Sequence, residues 1–164
     1  MVLDILTPRG QQTVADLEKA VALWEYHNPG YRYCRTPEDS PCPVDGLIVD
    51  RACHLKGVVE TKCRYDLPER KFEEDYKSEW LVTMDKLVRG ARVASQLCVP
   101  YYGFLYLVAD GLLLTRKIAD SQGQFCVPFR CDNTLTQRTV NGGEAVRANA
   151  YLDMRSSRAF RGIA

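Results

Sequence analysis

The sequence predicts a single α/β domain in which a central, mixed β-sheet is flanked by helices. Three stretches carry this prediction. Residues 13–26 repeat apolar side chains at helical spacing, residues 44–64 hold two short apolar strands, and residues 99–118 hold two apolar runs around a turn signal. The predicted order over the chain is α-β-β-β-α-β-β, followed by a mixed region, which is typical of a sheet covered by helices.

The first helix is predicted over residues 13–26, with Thr13 as its N-cap. The segment 27–30, "HNPG", combines Pro and Gly and ends the helix. A short strand rich in aromatic residues follows at 31–35. The segment 36–43 is rich in Pro, Ser and acidic residues, so we expect a loop there.

Two strands are then predicted at residues 46–50 and 55–63, joined by a short loop. Residues 71–97 carry a wide apolar stripe and are predicted to be mainly helical, although Gly90 weakens the pattern at the centre. Residues 99–118 are predicted to be a hairpin, because Asp110-Gly111 between apolar runs is a strong turn signal.

The last third of the chain has weaker signals. We expect a core at residues 13–118 and a C-terminal extension at 119–164 within the same domain. In the extension, alternation predicts a strand at 134–140, and "NGG" predicts a turn. Residues 144–154 are predicted to form a short helix, and the Arg-rich tail from about 155 is predicted to be flexible.

The composition is that of an ordinary globular protein, with 46% hydrophobic and 26% charged residues and a net charge of +1. The first residues have an early Asp and no long apolar run, which argues against a secretory signal, and no segment is long and apolar enough for a membrane span. We therefore expect a cytoplasmic protein without a membrane partner. Any nucleic-acid surface must be a local patch of positive charge.

Seven cysteines occur without a secretory signal, which favours reduced thiols. Their spacings lack the C-x2-C pairs of common zinc sites, so a zinc site has a low prior. We expect most of these cysteines to pack as small buried hydrophobes.

The apolar strands at 44–64 contain charges that require an explanation, because charges in buried strands are costly unless they are paired or do chemistry. If the strands pair around the loop at 51–54, Leu47 faces Val58 and Asp45 faces Glu60. Facing residues have Cβ atoms about 4.5–5.5 Å apart on one face of the sheet. Lys62 lies two residues beyond Glu60 and therefore on the same face.

Two adjacent carboxylates both stay ionised only when a cation lies between them. Oxygen ligands with open positions suit Mg²⁺ or Mn²⁺. The nearby Lys62 can orient or deprotonate a water molecule, or stabilise charge on a phosphate. The combination predicts phosphodiester hydrolysis with Asp45, Glu60 and Lys62 as catalytic residues. The ordinary alternative is a surface salt bridge at a strand end.

The motif formed by "PVDG" at 43–46 and "ETK" at 60–62 resembles that of the PD-(D/E)XK nuclease superfamily. The resemblance covers about the first 110 residues, since the helix and strands around the motif follow the same order; here Val44 separates the proline from the acid. It implies a restriction-endonuclease-like fold, a metal held by Asp45 and Glu60, and a further acid from the first helix. Glu18 is placed suitably for that role, with Glu25 and Asp16 as alternatives.

Cationic residues near the motif are candidates for nucleic-acid binding. Arg64 follows the motif strand directly, and Lys86 and Arg89 lie on the predicted helix at 71–97. The alternative for each is an ordinary surface residue, because Lys and Arg usually form the solvated face of a helix or snorkel at a strand edge.

The resemblance implies a metal-dependent nuclease acting on DNA, with structure-selective or low sequence specificity. A Holliday-junction-resolvase-like or RNA-processing nuclease is an alternative, as is a non-catalytic nucleic-acid-binding protein on the same fold. By resemblance we also expect a bacterial or phage origin and a possible homodimer, because two strands need two sites.

Overall fold

The computed structural model describes residues 7–37, 40–135 and 146–162. Among these residues, helices and strands are interspersed up to residue 107, and β-strands predominate after it. In chain order they are α1 (Pro8–His27), β1 (Tyr31–Arg35), β2 (Gly46–Asp50), β3 (Leu55–Arg64), α2 (Glu69–Glu74), β4 (Glu79–Thr83), α3 (Met84–Leu97), β5 (Tyr101–Leu107), a 3-10 turn (Val108–Asp110), β6 (Leu112–Ala119), β7 (Phe129–Leu135), β8 (Val146–Asp153) and β9 (Arg158–Arg161).

A six-stranded mixed sheet with the order β1-β2-β3-β5-β6-β9 forms the centre of the fold. The pair β3 and β5 is parallel, and the other neighbouring pairs are antiparallel. Strand β3 lies inside this sheet, so its backbone is paired on both sides. A second, antiparallel sheet has the order β4-β8-β7.

Alternation along β3 divides the core into two hydrophobic clusters. Val58 packs with residues of α3 and of the second sheet, including Leu87, Trp80 and Leu152. Val59 and the other side of β3 pack instead against α1, together with residues such as Ala20, Trp24 and Phe104. The two faces of β3 therefore meet different layers, with α1 on one side and α3 with the second sheet on the other.

The predicted mixed α/β class is confirmed, and the early elements agree closely with the sequence. The helix at 13–26 is present but begins five residues earlier, because Thr7 is the N-cap and its side chain accepts the Gly10 N–H at 3.1 Å. Pro8 is the first helical residue, where its missing N–H costs nothing. The hairpin at 99–118 is confirmed, and Gly111 has a φ of +57° at its turn.

The single helix predicted at 71–97 is wrong. The structure has the short helix α2, strand β4 and helix α3 in this region. Trp80 and Val82 are buried and alternate with more exposed neighbours, and β4 pairs with β8 from the far end of the chain. None of the helices in the described part of the chain is long and apolar enough to cross a bilayer.

The C-terminal predictions also require correction. Residues 144–154 were predicted as a helix, but Val146–Asp153 is strand β8, held between β4 and β7. The tail predicted to be flexible contains β9, which pairs with β6 at the edge of the main sheet. Of the strand predicted at 134–140, residues 134 and 135 end β7, and the remainder, with the predicted turn, lies outside the described residues.

Strands from the predicted C-terminal extension pair with strands from the predicted core, so that β7 and β8 belong to the second sheet and β9 to the main sheet. The prediction that most cysteines are buried is wrong as well. Only Cys63 is buried, and the other six are exposed and free of disulfides.

Gly90, which weakened the helix prediction, is buried in α3 against the ring of Tyr101. A Cβ at this position would lie 2.3 Å from a ring carbon of Tyr101. We predict that Gly90→Ala lowers the free energy of unfolding by up to about 2 kcal/mol, because an overpacking cost of about 1–3 kcal/mol outweighs the gain in helix propensity of roughly 1 kcal/mol.

Urea unfolding measures this effect, and Gly30→Ala is the matched control because no atom lies within 4 Å of its added Cβ. A Gly90→Ala protein as stable as the wild type or more stable would show that Tyr101 does not occupy this position.

Candidate active site

The hairpin of β2 and β3 brings Asp45 to the side of Glu60. Leu47 lies opposite Val58 and Gly46 opposite Val59, which is the predicted register. Asp45 immediately precedes β2, and its N–H donates to the carbonyl of Val59 at 2.8 Å. The Thr61 N–H donates to Oδ2 of Asp45 at 2.8 Å, so the carboxylate is fixed against β3.

The glycine after Asp45 is required by a tyrosine from β1. A Cβ on Gly46 would lie 2.2 Å from the ring of Tyr33. The Tyr33 hydroxyl in turn shares a hydrogen bond of 2.9 Å with Oγ1 of Thr61. Burial, opposed by the hydrogen bond to Thr61, raises the pKa of Tyr33, and the charges of Asp45 and Glu60 raise it further. Tyr33 therefore stays neutral, and its ring packs against Gly46 at the start of β2.

Glu60 is the central feature of the site, because it is only 3% exposed although it carries a carboxylate. Its Oε1 accepts a hydrogen bond from Lys86, while Oε2 is buried without a hydrogen-bond partner among the described residues. Burial, followed by the charge of Asp45, raises the pKa of Glu60 to about 7. One oxygen of this carboxylate is thus available to another ligand.

Lys86 supplies the positive charge between the two acids. It is the third residue of α3, and its Nζ contacts Glu60 and lies 3.8 Å from Oδ1 of Asp45. Burial acts to lower the pKa of Lys86, but the charges of Glu60 and Asp45 raise it above the ordinary value. Its side chain is 50% exposed, in contrast to the 4% of Glu60.

Lys62 and Arg64 extend the positive charge along the same face of β3. Both continue the alternation of Glu60 on this strand. Burial, followed by the charges of Arg64 and Lys86, lowers the pKa of the Lys62 ammonium, while the two carboxylates oppose that shift. Burial likewise lowers the pKa of Arg64. The side chains of Asp45, Glu60, Lys62 and Lys86 all act on one another electrostatically.

Tyr101 adds a second buried polar atom without a partner. It is wholly buried on β5, and its hydroxyl has no hydrogen bond within the described part of the protein. Burial raises the pKa of Tyr101, and the charges of Glu60 and Asp45 raise it further. The phenol is therefore neutral and lies within the electrostatic range of both carboxylates.

The structure does not bring Glu18 or Arg89 to this cluster. Glu18 lies on α1, which packs on the opposite face of β3 from Glu60 and Lys62. Its carboxylate is 63% exposed and lies 3.6 Å from Arg35. Arg89 is exposed on α3 and pairs with Asp85 at 3.0 Å. Their predicted roles stay predictions, and this geometry does not favour Glu18 as a metal ligand.

The sequence did not predict that Lys86 contacts the acidic pair, or that the charges of Asp45 and Glu60 raise the pKa values of Tyr33 and Tyr101. Lys86 was predicted to contact nucleic acid, but its ammonium lies on Glu60. The sequence pattern does not indicate this contact, because it predicts one helix across β4 and α3 and does not show that α3 begins at Met84. Tyr101 lies on β5, and nothing in its surroundings in the sequence points to Glu60.

The donor set of the site suits a hard divalent cation. Asp45 and Glu60 supply carboxylate oxygens, and no group of three or more His, Cys, Asp or Glu residues with metal-site geometry is found in the ranges that the structure describes. Two carboxylates are a common protein contribution to a Mg²⁺ site, because Mg²⁺ keeps several waters and also binds substrate phosphates. Oε2 of Glu60, which has no hydrogen-bond partner in the described part of the chain, is suited to bind such a cation.

Comparison of the chain with protein-family models, with curated proteins and with solved structures found no match. The functional assignment therefore depends on the motif and on the geometry of the site.

The raised pKa of Glu60 predicts a pH-dependent stability. The folded protein holds the Glu60 proton up to about pH 7, whereas the ordinary value is 4.5. Between these pH values the folded state binds more protons than the unfolded state. The stability that the protonated Glu60 contributes is therefore fully present below about pH 4.5 and is lost as the pH rises through 7. Relative to Glu60→Gln, the wild type should lose on the order of 3 kcal/mol of unfolding free energy across this range.

Urea unfolding in EDTA at several pH values measures the difference. Glu18→Gln is the control, because that carboxylate is mostly exposed. If the unfolding free energies of the wild type and of Glu60→Gln change in parallel with pH, burial does not destabilise the Glu60 carboxylate.

Proposed function

We propose that the protein is a metal-dependent nuclease of the PD-(D/E)XK type that hydrolyses phosphodiester bonds of DNA. The observation that carries this proposal is the buried carboxylate of Glu60, which lies beside Asp45 and has one oxygen without a partner among the described residues. A buried anion of this kind is costly and requires a function or a ligand. Lys62 at spacing two on the same strand completes the motif.

Asp45 and Glu60 would hold Mg²⁺ or Mn²⁺, with water and substrate phosphate completing the coordination. When bound, such an ion polarises a phosphoryl oxygen and makes an attached water more acidic. Thr61 holds the carboxylate of Asp45 through its backbone N–H, so this ligand is oriented before any ion binds. Preorganisation of this kind lowers the cost of binding.

Lys62 and Arg64 provide the positive charge that a phosphodiester requires. With its pKa lowered by burial and by neighbouring cations, Lys62 gives up a proton more readily than an ordinary lysine. It would orient the attacking water, accept its proton or stabilise charge on the phosphate. Arg64 stays cationic and would contact a neighbouring phosphate of the backbone.

The substrate within this proposal is DNA, cleaved with structure-selective or low sequence specificity. The site presents charges for the phosphate backbone, which is contacted without regard to sequence. A resolvase-like activity on branched DNA and an RNA-processing activity remain alternatives with the same chemistry. A homodimer stays a prediction.

A second candidate function is a non-catalytic nucleic-acid-binding protein. The ion pair of Lys86 with Glu60 and Asp45 favours it, because an ammonium balances part of the acidic charge without any metal. In such a protein the positive charges of Lys62, Arg64 and Lys86 would serve nucleic-acid binding alone.

We predict that Asp45→Asn and Glu60→Gln each reduce cleavage at least about 100-fold while the proteins stay folded, because each removes one charged ligand with little change in shape. The assay presents linear, circular, single-stranded and junction DNA, and a single-stranded RNA, with Mg²⁺, with Mn²⁺ or with EDTA. Asp66→Asn is the matched control, since Asp66 is an exposed acid just after the motif strand.

Cleavage that continues in EDTA, or that survives in Glu60→Gln, would contradict the metal mechanism. If the purified wild type binds DNA and cleaves none of the substrates under any of these conditions, the non-catalytic function is favoured instead.

We predict that Lys62→Ala removes turnover and leaves DNA affinity nearly unchanged, because its role lies in the transition state and one phosphate contact among several contributes modestly to binding. Lys56→Ala on the same strand is the matched control, since Lys56 pairs with Asp50 at 3.3 Å and lies at the other end of β3.

Cleavage rates at saturating metal and binding isotherms at several salt concentrations separate the two functions. In a pure binding protein, Lys62→Ala would instead weaken affinity and lower the salt slope by about one. Cleavage by Lys62→Ala at the wild-type rate would rule out the proposed role of this lysine.

A further inference from the structure

The Lys86 ammonium lies between the two carboxylates of the proposed metal site. Its Nζ touches Oε1 of Glu60 and lies 3.8 Å from Oδ1 of Asp45. A divalent cation held by Oε2 of Glu60 and by Asp45 would lie close to this ammonium, and the two positive charges would repel each other. Metal binding at the proposed site therefore favours displacement of Lys86.

The surroundings of the three residues indicate which of them is able to move. Glu60 is fixed on an internal strand with its side chain 4% exposed, and Asp45 is held by the Thr61 N–H. Lys86 is half exposed on a flexible four-carbon stem in the first turn of α3. Solvent next to its ammonium allows it to leave without burying a charge.

The direction of this movement is set by the charges nearby. Lys62 and Arg64 line the same face of β3, where a phosphate of the substrate would lie. The first turn of any helix has N–H groups without intrahelical partners, and among the described residues Thr83 makes no side-chain cap to those of α3. A displaced Lys86 would therefore meet an anion near the positive end of this helix.

We propose that Lys86 is the resident counter-cation of Asp45 and Glu60, which gives up its position to a divalent metal ion and then contacts the phosphate of the substrate. This inference rests on the proposed nuclease function. It assigns to Lys86 two alternate partners, the acidic pair before metal binding and the nucleic-acid backbone afterwards.

The first test is Mn²⁺ binding by titration calorimetry in the absence of DNA. Removal of the competing ammonium in Lys86→Met should tighten the Mn²⁺ dissociation constant at least about tenfold, and Lys86→Arg should stay close to the wild type. Lys56→Met is the matched control, since this lysine pairs with Asp50 away from the site. Its Mn²⁺ affinity should be unchanged.

Lys86→Gln keeps a hydrogen-bond donor for Glu60 and serves as a second variant if Lys86→Met is unstable without metal. It should also bind Mn²⁺ more tightly than the wild type. In either variant, further substitution of Glu60→Gln should abolish the gain, which ties the effect to the acidic pair.

The second test is DNA affinity with Mg²⁺ in a protein that carries Lys62→Ala to prevent turnover. Adding Lys86→Met should lower the slope of log affinity against log salt by about one, because one phosphate contact is lost. Lys56→Met in the same background should leave the slope unchanged.

The outcomes separate this inference from the function on which it rests. Wild-type protein that binds Mn²⁺ through Glu60, together with Lys86→Met that binds it equally or more weakly, overturns the role of Lys86 and leaves the nuclease proposal intact. An unchanged salt slope overturns the phosphate contact. Absence of Mn²⁺ binding in both proteins overturns the metal site, and with it the proposed function.

Discussion

The carboxylate of Glu60 on the inner strand β3 is the interaction on which the candidate site depends. Glu60 lies on a strand that has a hydrogen-bonded neighbour on each side, and it is only 3% exposed. A charge in that position requires compensation. Lys86 supplies part of it from α3, while Asp45 adds a second negative charge rather than relieving the first. Two ionised carboxylates therefore carry more negative charge than the Lys86 ammonium alone offsets.

The parts of the structure that depend on neighbouring residues could be predicted from the sequence. The loop at 51–54 fixes how β2 and β3 pair, so alternation alone predicted that Leu47 faces Val58 and that Asp45 approaches Glu60. The turn at Gly111 was predicted in the same way from its dipeptide. In each case the information lies within about twenty residues of the chain.

The parts that depend on distant residues were missed. Strand β4 is short and was predicted as part of a helix, because the strand that pairs with it, β8, comes some seventy residues later. The side of the sheet on which Glu18 lies could not be predicted for a related reason: a position on α1 does not reveal which face of the sheet the helix will cover. The contact of Lys86 with Glu60 likewise required the true start of α3, which only the tertiary structure supplies.

Anomalous diffraction from crystals grown with Mn²⁺ tests the central claim most directly, because it locates the ion without any assumption about the substrate. The account predicts a strong peak in contact with oxygens of both Asp45 and Glu60, with the Lys86 ammonium displaced from its position between them. A crystal saturated with Mn²⁺ in which no peak lies at this pair, and in which Lys86 still contacts Glu60, would contradict it.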